Sequence, residues 1–223
     1  MEQSVRAPGY PCILLAAGAG LRMSGGSKLL LALGGETVAA RAVRSALEYC
    51  DPLIVVTGKD ESLLRKSLER SGFSDERLIF VHNPRWAGGR VSSLRAGMRA
   101  LEKTREGFFL AHADMPFIDP DVYLALNQAA AARKAALLPP ALIFPTINGK
   151  PGHPVFFPIA FAPILAAVRA AESLKEAVSG LAREYIETDC EGTVEDIDSP
   201  EDYDRLCRKY GLAGSGLQSD KAV

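Results

Sequence analysis

Four short apolar runs, Ile13–Ala17, Leu53–Thr57, Leu78–Val81 and Phe108–Ala113, alternate with stretches whose apolar residues recur at helical spacing. The runs are too short for helices, and their β-branched and aromatic content suits buried strands. Between the first two, Val38, Ala42, Val43, Ala46 and Leu47 make one face of a helix over Thr37–Tyr49, and helices follow over Glu61–Ser71 and Ser92–Lys103. Such alternation predicts a mostly parallel sheet with helices on both faces, an α/β protein of three-layer α/β/α, Rossmann-like architecture.

Beyond Leu138 the alternation weakens. Leu142–Thr146 and His153–Pro158 flank Ile147-Asn148-Gly149-Lys150-Pro151-Gly152, which predicts an antiparallel hairpin inserted in that sheet. Residues 160–182 are Ala-rich and read as helix. Asp119-Pro120 and Ser199-Pro200 each pair an N-cap residue with proline at the first helical position, and Glu201 and Asp202 sit where the helix dipole favours acids. The expected organisation is a flexible N-terminus over 1–11, one domain over 12–211, and a Gly/Ser-rich disordered tail over 212–223.

The chain has 223 residues and 48% hydrophobic content, enough for one fully buried core. Its net charge of −1 with interspersed signs gives no electrostatic case for nucleic acid or an anionic membrane surface. Cys12, Cys50, Cys190 and Cys207 are scattered without a C-x-x-C, so neither a disulfide framework nor a zinc site is indicated. With no apolar stretch of membrane-span length and no apolar core in residues 1–11, the expectation is a soluble, cytoplasmic protein with reduced thiols.

In open α/β sheets ligands gather beyond the carboxyl ends of the strands, here Gly18–Lys28, Thr57-Gly58, His82–Ser93 and Asp114. Between Cys12 and Gly35 there are two cations, Arg22 and Lys28, and no acid, so the glycine loop is a sensible polyphosphate cradle. It is not a Walker A motif, because Leu29 follows Lys28, nor a dinucleotide fingerprint, because Met23 stands where the third glycine belongs. The plainer reading is a turn with two solvated cations. Asp114, ending a buried strand, needs a partner: a structural N–H group or a metal ion. Residues 187–204 hold nine acids and no base, and the N-cap and dipole leave Asp196 and Asp198 unexplained. For these, the plain reading is a solvated acidic turn. His153 alone assigns nothing.

The stretch Leu15-Ala16-Ala17-Gly18-Ala19-Gly20-Leu21-Arg22-Met23 with Lys28-Leu29 resembles the L-A-A-G-x-G-x-R-M-x(n)-K-L signature of the molybdopterin nucleotidyltransferase superfamily. Asn83–Gly97 is similar to its N-x-x-W-x-x-G-x-x-x-S-x-x-x-G segment, Asp114-Met115-Pro116 to its G-D-x-P, Gly149–Val155 to its G-x-x-G-H-P-V, and Asp196–Asp202 to its D-I-D-T-P-E-D. Ser24, Ala113 and the Ala171-Glu172-Ser173-Leu174-Lys175 stretch depart from the usual pattern, the last in a region that bears on the acceptor. Where GTP-using members carry a second glycine this chain has Ala17, which resembles the CTP-using branch.

The resemblance implies a nucleotidyltransferase fold and a Mg²⁺-dependent transfer of CMP from CTP to molybdopterin with release of pyrophosphate. It implies Arg22, Lys28 and Asp114 as catalytic residues. Nucleotide binding would fall to Leu15, Ala16, Ala17, Gly18, Gly20, Arg22, Lys28, Thr57, Asn83, Ser92, Ser93 and Gly97. Gly152 and His153 would lie on the acceptor side, and Asp114 with Asp198 would hold the metal. The implied partners are CTP or another NTP, a molybdopterin-type phosphorylated acceptor and a molybdenum hydroxylase. Alternatives are transfer to a sugar phosphate or methylerythritol phosphate, a cofactor-binding accessory protein without turnover, and an NAD-dependent oxidoreductase, which Met23 disfavours.

Overall fold

The computed structural model describes residues 9–18, 27–101, 106–168 and 173–212. From edge to edge the main sheet runs β5 (Leu78–His82), β4 (Leu53–Thr57), β1 (Cys12–Ala16), β6 (Gly107–His112), β9 (Val155–Pro158), β7 (Leu142–Ile147) and β10 (Arg183–Glu187). β8 (Lys150–Pro151) pairs with β7, while β2 (Ala32–Leu33) and β3 (Glu36–Thr37) form a ribbon of their own. β1, β4, β5 and β6 are mutually parallel, as are β7 and β10, and β9 runs antiparallel between β6 and β7. The predicted hairpin turns through Asn148 and Gly149, both at positive φ, and its returning arm becomes an interior strand.

Both faces of the sheet are covered. Cys12, Leu14, Val55 and Phe109 pack beneath α1 (Val38–Leu47), α2 (Glu61–Arg70), α4 (Pro120–Ala135) and α7 (Pro200–Lys209). Ile13, Leu15, Ile54 and Val56 pack beneath α3 (Arg90–Met98) and the short helices α5 (Ala162–Ala167) and α6 (Leu174–Ala177). β1 and β4 therefore need apolar residues on both sides, which is why they read as continuous apolar runs.

Helix starts follow local chemistry where a side chain caps them. Thr37 caps α1, Asp119 accepts from Asp121 N ahead of Pro120, and Ser199 forms a reciprocal capping box with Asp202. Two expectations are corrected. α3 begins at Arg90 with Gly89 as its N-cap, not at the serines, because Ser92 turns its hydroxyl back to Arg85 O and Gly89 O. The helix expected over 160–182 is not continuous: among the described residues α5 ends at Ala167, and Ser173 caps α6 in a second capping box. At the N-terminus, Tyr10 and Pro11 belong to the packed domain, Tyr10 lying against Phe109 and Phe156 and Pro11 O accepting from Phe109 N. At the other end Leu212 packs on the core, and residues 1–8 and 213–223 lie outside the described residues.

Candidate active site

Register sets the site. Leu15 is level with His112 across β1 and β6, so Ala17 and Asp114, each two residues further on, leave the same sheet edge side by side. On the other flank Ala16 is level with Thr57 and Thr57 with His82. The predicted ligand-facing turns therefore share one rim, and a cleft of about 490 Å³ opens there. Among its lining residues are Leu15, Ala16, Ala17, Gly18, Lys28, Ser93, Asp114 and Asp198, eight of the predicted site residues.

At its centre lies one ammonium between two carboxylates. Lys28 Nζ donates to Asp114 Oδ2 at 2.7 Å and to Asp198 Oδ1 at 2.6 Å. The lysine side chain is only 9% exposed, against 17% for Asp114 and 56% for Asp198. Three backbone devices bring the three residues together. Lys28 opens a 3-10 turn, Lys28–Leu30, whose Leu29 is seated in the core; Asp114 follows β6; and Ile197 N bonds to Asp114 O at 3.0 Å. Ile197 is fully buried, and the neighbouring Asp198 lines the cleft. The acidic segment thus returns beside the end of β6, next to β1.

Charge states follow from this packing. Burial works against the Lys28 charge, but Asp114 and Asp198 outweigh it and raise its pKa above the ordinary lysine value. The Lys28 hydrogen bond holds Asp198 below the usual carboxylate range. Asp196 is pushed up, first by burial and then by the neighbouring charges of Asp198 and Asp114. The reading of Lys28 as a solvated loop cation is therefore wrong: its charge is held between acids.

Seven lining residues fall outside the predicted set, and two of them, His112 and Arg90, carry side chains of chemical consequence that sequence reasoning missed. The His112 and His153 rings meet edge to face, with centroids 4.4 Å apart. Burial drives the His112 pKa well below the ordinary imidazole value, helped by His153, Arg90 and Lys28; burial likewise lowers His153. Both are neutral at pH 7, and His153 does not line the cleft but touches His112, which does. A signal existed for each: His112 is two residues before Asp114, hence on the same side of the strand, and Arg90 puts a cation at a helix start, where the dipole disfavours it.

Other expected contacts are structural. Asn83 is buried and gives its amide N–H groups to Ser92 Oγ and Ser93 Oγ while its oxygen accepts from Arg85 N, so it orders the loop behind Ser93. Thr57 is fully buried and donates to Val81 O. Gly97 does not face the cleft: a Cβ there would lie 2.5 Å from Ile13 Cγ2, so glycine is needed for α3 to reach the sheet. Gly152 serves similarly, since a Cβ would lie 2.3 Å from Thr193 O. Gly20 and Arg22 lie outside the described residues.

A larger groove, about 810 Å³, lies between α4, the Thr188–Glu191 turn and Tyr210. None of the predicted nucleotide residues lines it, and the charge of Lys209 is taken up by Glu191 and Glu195. The predicted residues thus gather in the smaller cleft.

A family model described as "MobA-like NTP transferase domain" matches residues 12–186, most of the chain. The chain belongs to the MobA-like NTP transferase family. It is a nucleotidyltransferase in class. Among relatives of this MobA-like domain, the molybdenum cofactor cytidylyltransferase of Escherichia coli (strain K12) is 27% identical over 89% of this chain and 96% of its own length. A probable molybdenum cofactor guanylyltransferase of Methanosarcina mazei is 29% identical over 56% of this chain and 55% of its own. Among solved structures, Rv0371c of Mycobacterium tuberculosis H37Rv superposes with a TM-score of 0.72 at 20% identity, covering 90% of this chain and 98% of that one. The same protein is also known as a complex with manganese, which superposes with a TM-score of 0.67 at 20% identity, with the same coverage.

Proposed function

We propose that this MobA-like domain is a divalent-metal-dependent cytidylyltransferase that transfers CMP from CTP to the terminal phosphate of a molybdopterin-type acceptor and releases pyrophosphate. The observation that carries this reading is the convergence of Lys28, Asp114 and Asp198 at the end of β1 and β6. Two carboxylate oxygens aimed at one point are a hard donor pair of the kind Mg²⁺ accepts, since that ion takes one or two protein carboxylates and fills its other positions with water and phosphate oxygens. No group of three or more His, Cys, Asp or Glu able to hold a metal occurs among the described residues, so the donor set fits Mg²⁺ better than a metal that needs an all-protein cage. When bound, the ion would neutralise charge on the phosphates.

An acceptor phosphate oxygen attacks the α-phosphorus, the bond from that phosphorus to the bridging oxygen breaks, and pyrophosphate departs with the electron pair. A phosphate monoester is largely dianionic at pH 7, its second pKa being about 6, so no residue need remove a proton. The chain's tasks are in-line placement and charge neutralisation. Gly18, Ser27, Lys28 and Ser93 all line the cleft, and in this reading the first two border the triphosphate while Lys28 supplies its countercharge. The molybdenum hydroxylase that receives the product is the proposed protein partner.

The preference for CTP is supported by Ala17, a cleft-lining residue only 4% exposed, whose methyl group narrows the wall where GTP-using relatives have glycine, and by the cytidylyltransferase of Escherichia coli. Calorimetry with Mg²⁺ is expected to give tighter binding for CTP than for GTP, with Ala17→Gly reducing the difference. Equal or tighter GTP binding by the wild type would sink the base assignment.

A further inference from the structure

Two cations are assigned to one gap. Asp114 Oδ2 and Asp198 Oδ1 would hold a divalent ion at about 2.0–2.1 Å, yet each is 2.6–2.7 Å from the Lys28 ammonium. Like charges so close together repel strongly in a partly dry site, so the two occupants exclude one another. The lysine's backbone is held in place by the 3-10 turn, with Leu31 N bonding to Lys28 O at 3.3 Å and Leu29 only 8% exposed. Its four-carbon stem carries the rotatable bonds that can re-aim the ammonium about that anchor. Gly18 and Ser27 lie along the same cleft, so a polyphosphate laid against them comes within its reach.

We propose that Lys28 occupies the metal position in the nucleotide-free protein and leaves it when a polyphosphate draws the ammonium away, so that metal and nucleotide enter together. The inference rests on the metal placement proposed above and on neither the base nor the acceptor. In the free protein the ammonium offsets the mutual repulsion of Asp114 and Asp198, and one oxygen of each is turned toward it. Once nucleotide takes up the lysine, both oxygens face the position it has left. By reciprocity, whatever factor nucleotide adds to metal affinity, metal adds to nucleotide affinity.

Mn²⁺ is a suitable probe, because free Mn²⁺ is read directly by electron paramagnetic resonance in the presence of the intact chain. Without nucleotide, the wild type is expected to bind Mn²⁺ weakly. Lys28→Met keeps a long stem without the charge and is expected to bind at least tenfold more tightly, and adding Asp114→Asn to it should remove the gain. A second measurement needs no substitution: with ¹⁵N-labelled lysine side chains, CTP without metal should shift the Lys28 Nζ resonance, while Mg²⁺ alone should leave it in place. A folded Lys28→Met with wild-type Mn²⁺ affinity, or an Nζ resonance that answers to Mg²⁺ alone and not to CTP, overturns the lysine's role and leaves the metal site standing. No Mn²⁺ binding by any of these proteins, with or without CTP, overturns the metal placement itself.

Discussion

Asp114 and Asp198 differ in how far they are removed from water, and that difference sets what each substitution does. The Asp114 side chain is 17% exposed and Asp198 56%, so solvent screens the second far more. Asp114→Asn should therefore lose the Mg²⁺-dependent gain in CTP affinity and lose pyrophosphate release, while metal-free CTP binding persists. Asp198→Asn should show the same losses more mildly. Calorimetry with and without Mg²⁺ checks both; a full Mg²⁺ response in Asp114→Asn, with only a lower melting temperature, would make this aspartate a structural acceptor. The imidazoles make a pH prediction. His112 and His153 have folded-state pKa values below the ordinary 6.5, chiefly through burial. As pH falls through about 6.5 the unfolded chain takes up protons before the native one, so stability present above that pH is lost below it. His112→Phe keeps the ring and removes the titration, and should flatten the fall in urea midpoint on the acid side of about pH 6.5. An unchanged slope would show that the pair does not govern it.

At the scale of elements, α3 is fixed by how closely it approaches the sheet. A Cβ at Gly97 would lie 2.5 Å from Ile13 Cγ2 and 3.0 Å from Val56 Cγ2, and both residues are fully buried in β1 and β4. Neither strand can yield, so Gly97→Ala should destabilise the fold by about 1–3 kcal/mol, as overpacking of a dense core does. Chemical denaturation measures that loss, and a variant as stable as the wild type would place the glycine's role elsewhere. Ser93 and Arg90 ride on the same helix, so nucleotide affinity should fall with any displacement of α3, although Gly97 touches no part of the cleft. Capping positions behave differently, being legible from neighbouring residues: Asp119-Pro120 and the Ser199–Asp202 box start α4 and α7 as expected. The serines before Leu94 did not, because Asn83, nine and ten residues away in sequence, donates to both hydroxyls, and Ser92 donates back to Arg85 O and Gly89 O.

For the whole molecule, ligand binding is linked to global unfolding because cleft residues come from β1, β6, α3 and the segment before α7, so the site exists only when these are assembled. A ligand at one hundred times its Kd adds about 2.7 kcal/mol to stability. In a thermal-shift panel of the four NTPs, CTP with Mg²⁺ should give the largest rise in melting temperature, and more than CTP alone. A panel in which Mg²⁺ adds nothing to any nucleotide would contradict a site where Asp114 and Asp198 meet a metal. No helix among the described residues is long and apolar enough to cross a membrane.

What the chain's own order determined is what depends on near neighbours and on period. Apolar runs became β1, β4, β5 and β6, capped helices started where capping residues stand, and the loop, Asp114 and acidic motifs marked the rim on which the cleft opens. Tertiary structure alone decided which groups share one space. Lys28 meets Asp114 across 86 positions and Asp198 across 170, and His112 meets His153 only because β9 inserts antiparallel beside β6. It also turned Gly97 from a binding residue into a packing one and broke the helix expected over 160–182. The physical reason is common to all of these: propensity and spacing act over a few residues, whereas burial and charge pairing depend on strand order and register, which no local stretch encodes.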